Sequence, residues 1–208
     1  MLLKPKWDKI LRVPLNKCPS GNIYRKLNLA TLGLDLHHFN PLRLSYNNLP
    51  IDPYYPINNN YPVRFRKYSR FLVDISNSNE FLFSQQYVNH FSQNVDDSRG
   101  NTRLFIPMED TVIDKYFYQL MTQIVGLIVN DNPLIKNLDI SAHQVRTISY
   151  PDTVSDNAPD GIHQDGADYV VSALVFNRHN ISHGKSHIYD NHKQSLYTTS
   201  LQTGEFIL

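Results

Sequence analysis

Two side chains that commonly bind metals lie two residues apart in the stretch "DGIHQDGADYVVSALVFN", residues 160 to 177. They are His163 and Asp165. In an extended segment, residues two apart project to the same side, so both groups can face one ion while Gln164 points away. The glycines that flank the pair and the apolar run that follows favour an extended segment. Imidazole and carboxylate together suit iron, zinc or manganese, and one more histidine would complete the set that binds Fe(II) with open positions.

The same spacing also has an interpretation without a metal. A pair of this kind arises readily by chance in a chain with 9 histidines and 19 acidic residues. In an ordinary polar loop, Asp165 would cap a turn and His163 would hydrogen-bond to the backbone. The spacing and its flanking residues leave both interpretations open.

The elements that must position this pair are mostly short and rich in β-forming residues. Separated by turn formers, strands are predicted over 63–75, 139–150, 167–177, 185–190, 195–201 and 205–208. Apolar residues at three- and four-residue steps predict a long helix over 109–130, with acids near its start, and a short helix is expected around 27–34. This pattern indicates a mainly β fold of the α+β class, an antiparallel sandwich or barrel with helices packed outside.

Basic and apolar residues alternate in "VRFRKYSRFLVDI", residues 63 to 75. The period of a strand places Arg64, Arg66 and Tyr68 on one face and Phe65 and Lys67 on the other. One interpretation is a solvated basic strand at the edge of a sheet. The other is that an arginine of this strand reaches into a site for an acidic small molecule.

Several blocks of the sequence carry a resemblance to one family. They are "HQVR" at 143–146, the His163 and Asp165 pair, "NRHN" at 177–180, "GKSHIYD" at 184–190, and "RFRKYSRF" and "GNTRLFIPM" upstream. Together they resemble the bacterial 2-oxoglutarate/Fe(II)-dependent dioxygenase family that includes the L-isoleucine and other free L-amino-acid hydroxylases. The resemblance covers about residue 61 to the end. It implies a double-stranded β-helix, a cupin-like jelly-roll barrel with the metal at one mouth.

The resemblance also implies a chemistry. His163 and Asp165 would be two ligands of Fe(II), and 2-oxoglutarate would be the cosubstrate. Dioxygen would then oxidise a C–H bond of a free L-amino acid or similar small molecule, with succinate and carbon dioxide as products. Arg146 is a candidate for binding a carboxylate, because a guanidinium fork holds that group bidentately; a surface ion pair is its alternative. Gln144, on the same strand face, can help to orient the ligand.

The resemblance is incomplete towards the end of the chain. The family's second iron-binding histidine and its arginine for 2-oxoglutarate are expected on the last two strands of the barrel, beyond a segment like "QTGEFIL". We therefore expect an irregular N-terminal segment at 1–60 and a dioxygenase-like domain at 61–208 that lacks its last strands, as in a fragment or degenerate copy. His143 and the later histidines are interpreted as structural or solvated. The alternative function is a non-catalytic barrel that binds a small molecule or a partner.

Composition narrows the class of protein further. The net charge of +1 lacks the excess of positive charge that is typical of nucleic-acid-binding proteins, so no nucleic-acid partner is expected. No apolar run approaches the length of a membrane span, and the first residues lack a secretory leader. The single cysteine, Cys18, excludes an internal disulfide and suits a reducing compartment. The sequence therefore predicts a cytoplasmic protein with a small-molecule substrate, and it leaves the oligomeric state open.

Overall fold

The computed structural model describes residues 2–3, 16–17, 23–55, 61–76, 80–87, 90–91, 103–152, 161–181 and 184–208. In chain order the strands are β1 (Leu2–Leu3), β2 (Asn16–Lys17), β3 (Ile23–Tyr24), β4 (Lys26–Asn28), β5 (Arg64–Asp74), β6 (Leu82–Gln86), β7 (His90–Phe91), β8 (Arg103–Leu104), β9 (Asn137–Thr147), β10 (Ser186–Tyr189), β11 (Ser195–Thr199) and β12 (Glu205–Ile207). The helices are α1 (Asn40–Ser45) and α2 (Lys115–Asp131), with three short 3-10 helices at Leu29–Leu32, Leu36–Phe39 and Tyr46–Asn48. The prediction of a mainly β fold with few helices is confirmed.

These elements divide into two compact units. The first unit comprises residues 1–9 and 39–159, and the second comprises residues 10–38 and 160–208. The predicted arginine and glutamine of the ligand site lie in the first unit, and the predicted metal pair lies in the second. Cys18 lies outside the described residues. Among the described residues, no helix combines the length and the apolar character that crossing a bilayer requires.

A four-stranded antiparallel sheet organises the first unit, in the order β1-β6-β5-β9. The strands predicted over 63–75 and 139–150 are confirmed as β5 and β9. Strand β5 pairs with a neighbour on each side, so the expectation of a solvated edge strand is wrong. The register places Tyr68 opposite His143 and Lys67 opposite Gln144. Because opposite residues share a face, the sheet carries two distinct rows of polar side chains.

Helix α2 packs against one face of this sheet and forms the core of the first unit. Phe71, fully buried on β5, has its ring centroid 5.6 Å from Phe117 and 6.1 Å from Tyr118 on the helix. Val73 and Phe83 extend the same cluster. The three- and four-residue spacing of the apolar residues in α2 accounts for this packing, since it places them on one side of the helix.

The predicted helix over 109–130 begins later than expected. Helix α2 starts at Lys115, where the Asp114 carboxylate accepts hydrogen bonds from the backbone N–H groups of Tyr116 and Phe117, both at 2.9 Å. Residues 109 to 113 form a turn instead, in which Val112 N–H donates to the carbonyl of Glu109. The acids expected in the first helical turn therefore precede the helix, and Asp114 supplies its N-cap.

Removing this cap should cost measurable stability. We expect Asp114→Ala to lower the free energy of unfolding by about 1 kcal/mol, because two backbone donors at the start of α2 lose their acceptor. Urea denaturation followed by circular dichroism measures the change. Asp110→Ala removes the same charge from the exposed turn before the helix and serves as the control. Equal losses in the two variants would show that the cap contributes nothing beyond its charge.

The second unit is built from short antiparallel pairs. Strand β12 pairs with β4, and β10 pairs with β11, so the strands predicted over 185–190, 195–201 and 205–208 are confirmed. The run 167–177 is not a regular strand. It meets the β12 region through a bridge between Ser172 and Ile207 and single bonds at Val175. Its β-forming residues favoured a strand, but a continuous ladder also needs a partner in register.

The short helix expected around 27–34 is present in a tighter form. Leu29–Leu32 is a 3-10 helix that directly follows β4. The Asn28 side chain caps it by accepting from Ala30 N–H at 2.9 Å. Gly33, at φ 70, ends it in the left-handed conformation that favours glycine. The cap and the glycine therefore account for the short length of the element.

Candidate functional site

The predicted metal pair lies in an irregular segment of the second unit. His163 Nε2 is 3.4 Å from Asp165 Oδ1, and the two side chains are 41% and 49% exposed. The flanking residues Gly161 and Gly166 adopt φ values of 67 and 62, so the chain turns sharply on either side of the pair. The structure brings together the two residues that spacing predicted, on an accessible part of the chain.

A hydrogen bond fixes the orientation of the His163 ring. Its Nδ1 lies 2.8 Å from the carbonyl oxygen of Gly161, which can only accept, so the ring proton is assigned to Nδ1. The other ring nitrogen, Nε2, then faces Asp165. A backbone bond of His163 was expected of a plain polar loop as well. The second ring nitrogen directed at a carboxylate oxygen is the feature that a metal site adds.

The separation of the two donor atoms fits one shared divalent ion. Nitrogen and oxygen ligands lie roughly 2.0–2.2 Å from such an ion, so two neighbouring ligands stand about 3 to 3.5 Å apart. The observed separation of 3.4 Å falls in this range. Gln164 is directed elsewhere, as predicted, and its amide nitrogen donates to Asn191 Oδ1 at 2.7 Å. The residues therefore fit a metal at the level of donor type, tautomer and spacing.

The described residues supply only two donors at this position. In the part of the chain that the structure describes, no three His, Cys, Asp or Glu side chains are grouped closely enough to hold an ion. His187 Nδ1 pairs with Thr198 Oγ1 at 3.0 Å, and His179 and His192 are exposed. His183 lies outside the described residues. The pair is thus a partial donor set among the residues described.

Gln144 and Arg146 lie on β9 in the first unit and share the sheet face that α2 covers, as their spacing predicted. Gln144 is 1% exposed, and its Nε2 donates to Ser45 Oγ at 2.7 Å. Arg146 Nη1 lies 3.3 Å from the carbonyl of Tyr46, with its guanidinium 6.0 Å from the Phe65 ring. Both side chains contact the chain itself in this structure, and their ligand-binding roles stay predictions.

The opposite face of the same sheet carries a polar cluster that was not predicted from the sequence. Arg66 Nη2 lies 2.8 Å from His143 Nδ1, and the His143 ring lies 4.8 Å from Tyr68 and 4.9 Å from Phe91. Because arginine can only donate, His143 Nδ1 accepts this bond and the ring proton is on Nε2. Burial lowers the pKa of His143 to about 3, and the positive charges of Arg66 and Arg64 add to the effect. His143 is therefore neutral at pH 7.

This neutral histidine predicts a pH dependence of stability. The pKa of His143 falls from 6.5 when unfolded to about 3 when folded. Between these values the unfolded chain binds more protons, so the stability present above pH 6.5 is lost as the pH falls. From pH 7 to pH 5 we expect the unfolding free energy of the wild type to drop by up to about 2 kcal/mol more than that of His143→Asn, whose side chain accepts the same bond but does not titrate. Urea titrations at both pH values measure this difference, and parallel losses would contradict it.

Comparison with known proteins places the chain in a family. Residues 43–208 match the model of the 2OG-Fe dioxygenase family, and this protein belongs to that family. The match includes β5, β9 and the predicted metal pair. Fe(II) and 2-oxoglutarate are the metal and the cosubstrate of the family, which acts on small molecules. No curated protein matches the chain in sequence.

Solved structures show the same fold at low sequence identity. A bsmA homolog from Methylobium petroleophilum PM1 is similar with a TM-score of 0.69 and 18% identity, over 88% of this chain and 74% of that one. IDO from Bacillus thuringiensis is similar with a TM-score of 0.60 and 17% identity, over 88% of this chain and 79% of that one. At these identities the likeness concerns the fold alone.

Proposed function

We propose that this protein is a non-haem Fe(II) and 2-oxoglutarate-dependent dioxygenase in which His163 and Asp165 bind the iron. The observation that carries the proposal is the orientation of the pair, with Nε2 of His163 directed at Asp165 Oδ1 at 3.4 Å. The family match over residues 43–208 supports the same chemistry. Bound Fe(II) would supply open positions for 2-oxoglutarate and dioxygen.

Neighbouring residues of the chain fix the orientation of these two donor side chains. The Gly161 carbonyl fixes the His163 ring, so the ligand nitrogen needs no tautomeric change before it binds. The Asp165 carboxylate supplies one negative charge, which offsets part of the charge of a divalent ion. The hydrogen bond from Gln164 to Asn191 connects the segment that carries His163 and Asp165 to the turn after β10. These contacts orient the pair before the metal arrives.

The substrate class and the barrel architecture are the finer parts of the proposal. We propose a free L-amino acid or a similar small molecule as substrate, on the strength of the resemblance of the blocks at 143–146, 163–166 and 177–190. We further propose that the short strands belong to a jelly-roll barrel and that Arg146 and Gln144 contribute to the binding of a carboxylate ligand. The similar folds of the two solved structures support a shared architecture.

An assay of the decarboxylation product tests the proposed activity. Purified protein is incubated with Fe(II), 2-oxoglutarate, dioxygen and each of a panel of free L-amino acids, and succinate is quantified. We expect at least one amino acid to raise succinate formation above the level of a sample treated with a chelator. Succinate at the chelator level with every amino acid would contradict the dioxygenase assignment for this chain.

A non-catalytic barrel that binds a small molecule or a partner is the second candidate function. It is favoured by one observation, the lack of a third donor near the pair among the described residues. Two protein ligands hold a divalent ion less firmly than three. Anaerobic calorimetry with Mn(II) separates the two candidates: saturable binding that requires His163 supports the enzyme, and heats equal to buffer dilution support the non-catalytic barrel.

A further inference from the structure

The basic residues of β5 differ in how their charges are balanced. Three of them contact a carboxylate: Arg64 lies 3.5 Å from Asp52, Lys67 pairs with Glu109, and Arg70 binds Asp139 with Nε–Oδ1 at 2.8 Å. The fourth, Arg66, contacts no carboxylate of the described residues.

Arg66 is also the most deeply buried arginine of the strand. It is 9% exposed, whereas the side chain of Arg70 is 38% exposed. A buried charge is normally paired, because removal from water disfavours the charged form. Burial lowers the pKa of Arg66 to about 10, with Asp52 partly opposing the effect and Arg64 adding to it. The guanidinium therefore still carries its charge at pH 7, without a directly contacting anion.

The described groups that contact the Arg66 guanidinium are neutral. The Phe105 ring lies 4.5 Å from it and the Phe91 ring 5.5 Å, at distances typical of cation–π contacts. Its Nη2 donates to the neutral His143. Its Nε is buried and has no hydrogen-bond partner. These contacts hold the side chain in place and leave the buried Nε–H donor without a partner and the charge without a contacting carboxylate among the described residues.

We propose that Arg66 binds the carboxylate of a small carboxylic acid with an apolar body. A carboxylate is the planar anion that a guanidinium edge recognises, and it would satisfy the free Nε donor. The aromatic rings of Phe91 and Phe105 supply apolar surface beside the charge. This site lies within the first unit and needs no iron. It goes beyond the proposed dioxygenase chemistry, and it gives a physical basis to the hypothesis that an arginine of this strand serves a site for an acidic molecule.

Binding to metal-free protein tests this site separately from the iron chemistry. With a chelator present, 4-methylpentanoate, 2-oxoglutarate and L-leucine are titrated into the wild type, Arg66→Gln and Arg70→Gln, with 4-methylpentanamide as the uncharged analogue. We expect at least one carboxylate to bind the wild type and Arg70→Gln alike, and at least tenfold more weakly to Arg66→Gln. The amide should not bind. The three acids distinguish a monocarboxylate, the cosubstrate and an amino acid as the source of the carboxylate.

Arg70→Gln is the matched control, because it removes an equal charge from the same strand and the same sheet face. If Arg66→Gln does not fold, Arg66→Lys keeps the charge but loses the fork, and we still expect weaker binding. The Arg66 Nε–H signal of ¹⁵N-labelled wild type should also shift on adding the bound acid. Equal affinity in the Arg66 and Arg70 variants, an unmoved Nε–H signal, or no binding of any carboxylate would overturn the proposal.

Discussion

Replacing His163 by alanine is expected to weaken binding of Fe(II) or Mn(II) more than about 100-fold, since loss of a direct ligand should exceed the 10- to 100-fold cost typical of losing an outer contact. The variant removes the Nε2 donor beside Asp165 and leaves a single carboxylate of the observed pair. Anaerobic calorimetry measures the affinity, and succinate formation should fall in parallel. Asp165→Ala should produce a loss of similar size, because the pair acts as one donor set.

The control for this prediction is another exposed histidine of the same unit. His187 lies on β10 and its ring pairs with Thr198. His187→Ala removes an imidazole of equal metal-binding capacity, and we expect unchanged affinity. Both variants lose a side chain that is substantially exposed, so neither is expected to unfold the chain. Equal affinities of His163→Ala and the wild type would exclude His163 as a ligand.

The second large effect concerns stability. We expect Phe71→Ala to lower the free energy of unfolding by about 3–5 kcal/mol, because it removes a fully buried ring and opens a cavity. Phe71 packs between β5 and the α2 residues Phe117 and Tyr118. Such a loss is a large part of the total stability of a typical domain. Urea denaturation followed by circular dichroism measures it.

A neighbouring leucine provides the comparison for this core variant. Leu72 is the next residue of β5, points to the opposite face and is 40% exposed. Leu72→Ala removes an apolar side chain with little burial, and the expected loss is below about 1 kcal/mol. Similar losses for the two variants would mean that α2 does not form the core of the first unit.

The regular parts of the fold could be predicted because they depend on local periodicity. The alternation in 63–75 predicted β5, the β-forming residues of 139–150 predicted β9, and the three- and four-residue spacing predicted α2. The run 167–177 had equally strong β-forming residues but makes only isolated bonds to the β12 region. Residue preferences fix which segments favour extension, whereas a ladder depends on a partner that the local sequence does not specify.

The candidate site shows the same division between local and distant information. His163 and Asp165 are two residues apart, so their proximity depends on the local chain alone. Arg66 and His143 are 77 residues apart, and they meet only because β5 and β9 pair in one register. The alternation in 63–75 placed Arg66 on the same face as Tyr68, and this is the face on which the cluster lies. The partner strand was needed to complete the cluster.

The most direct test of the proposed iron-binding pair uses the nitrogen atom of His163 as a reporter. Mn(II) bound to wild-type protein should show electron spin echo modulation from a directly coordinated imidazole nitrogen, and labelling the histidines with ¹⁵N should change it. We predict that His163→Ala loses the contribution of one imidazole, while His187→Ala retains the wild-type modulation. Nitrogen modulation of the same depth in His163→Ala as in the wild type would contradict the assignment of this residue as a metal ligand.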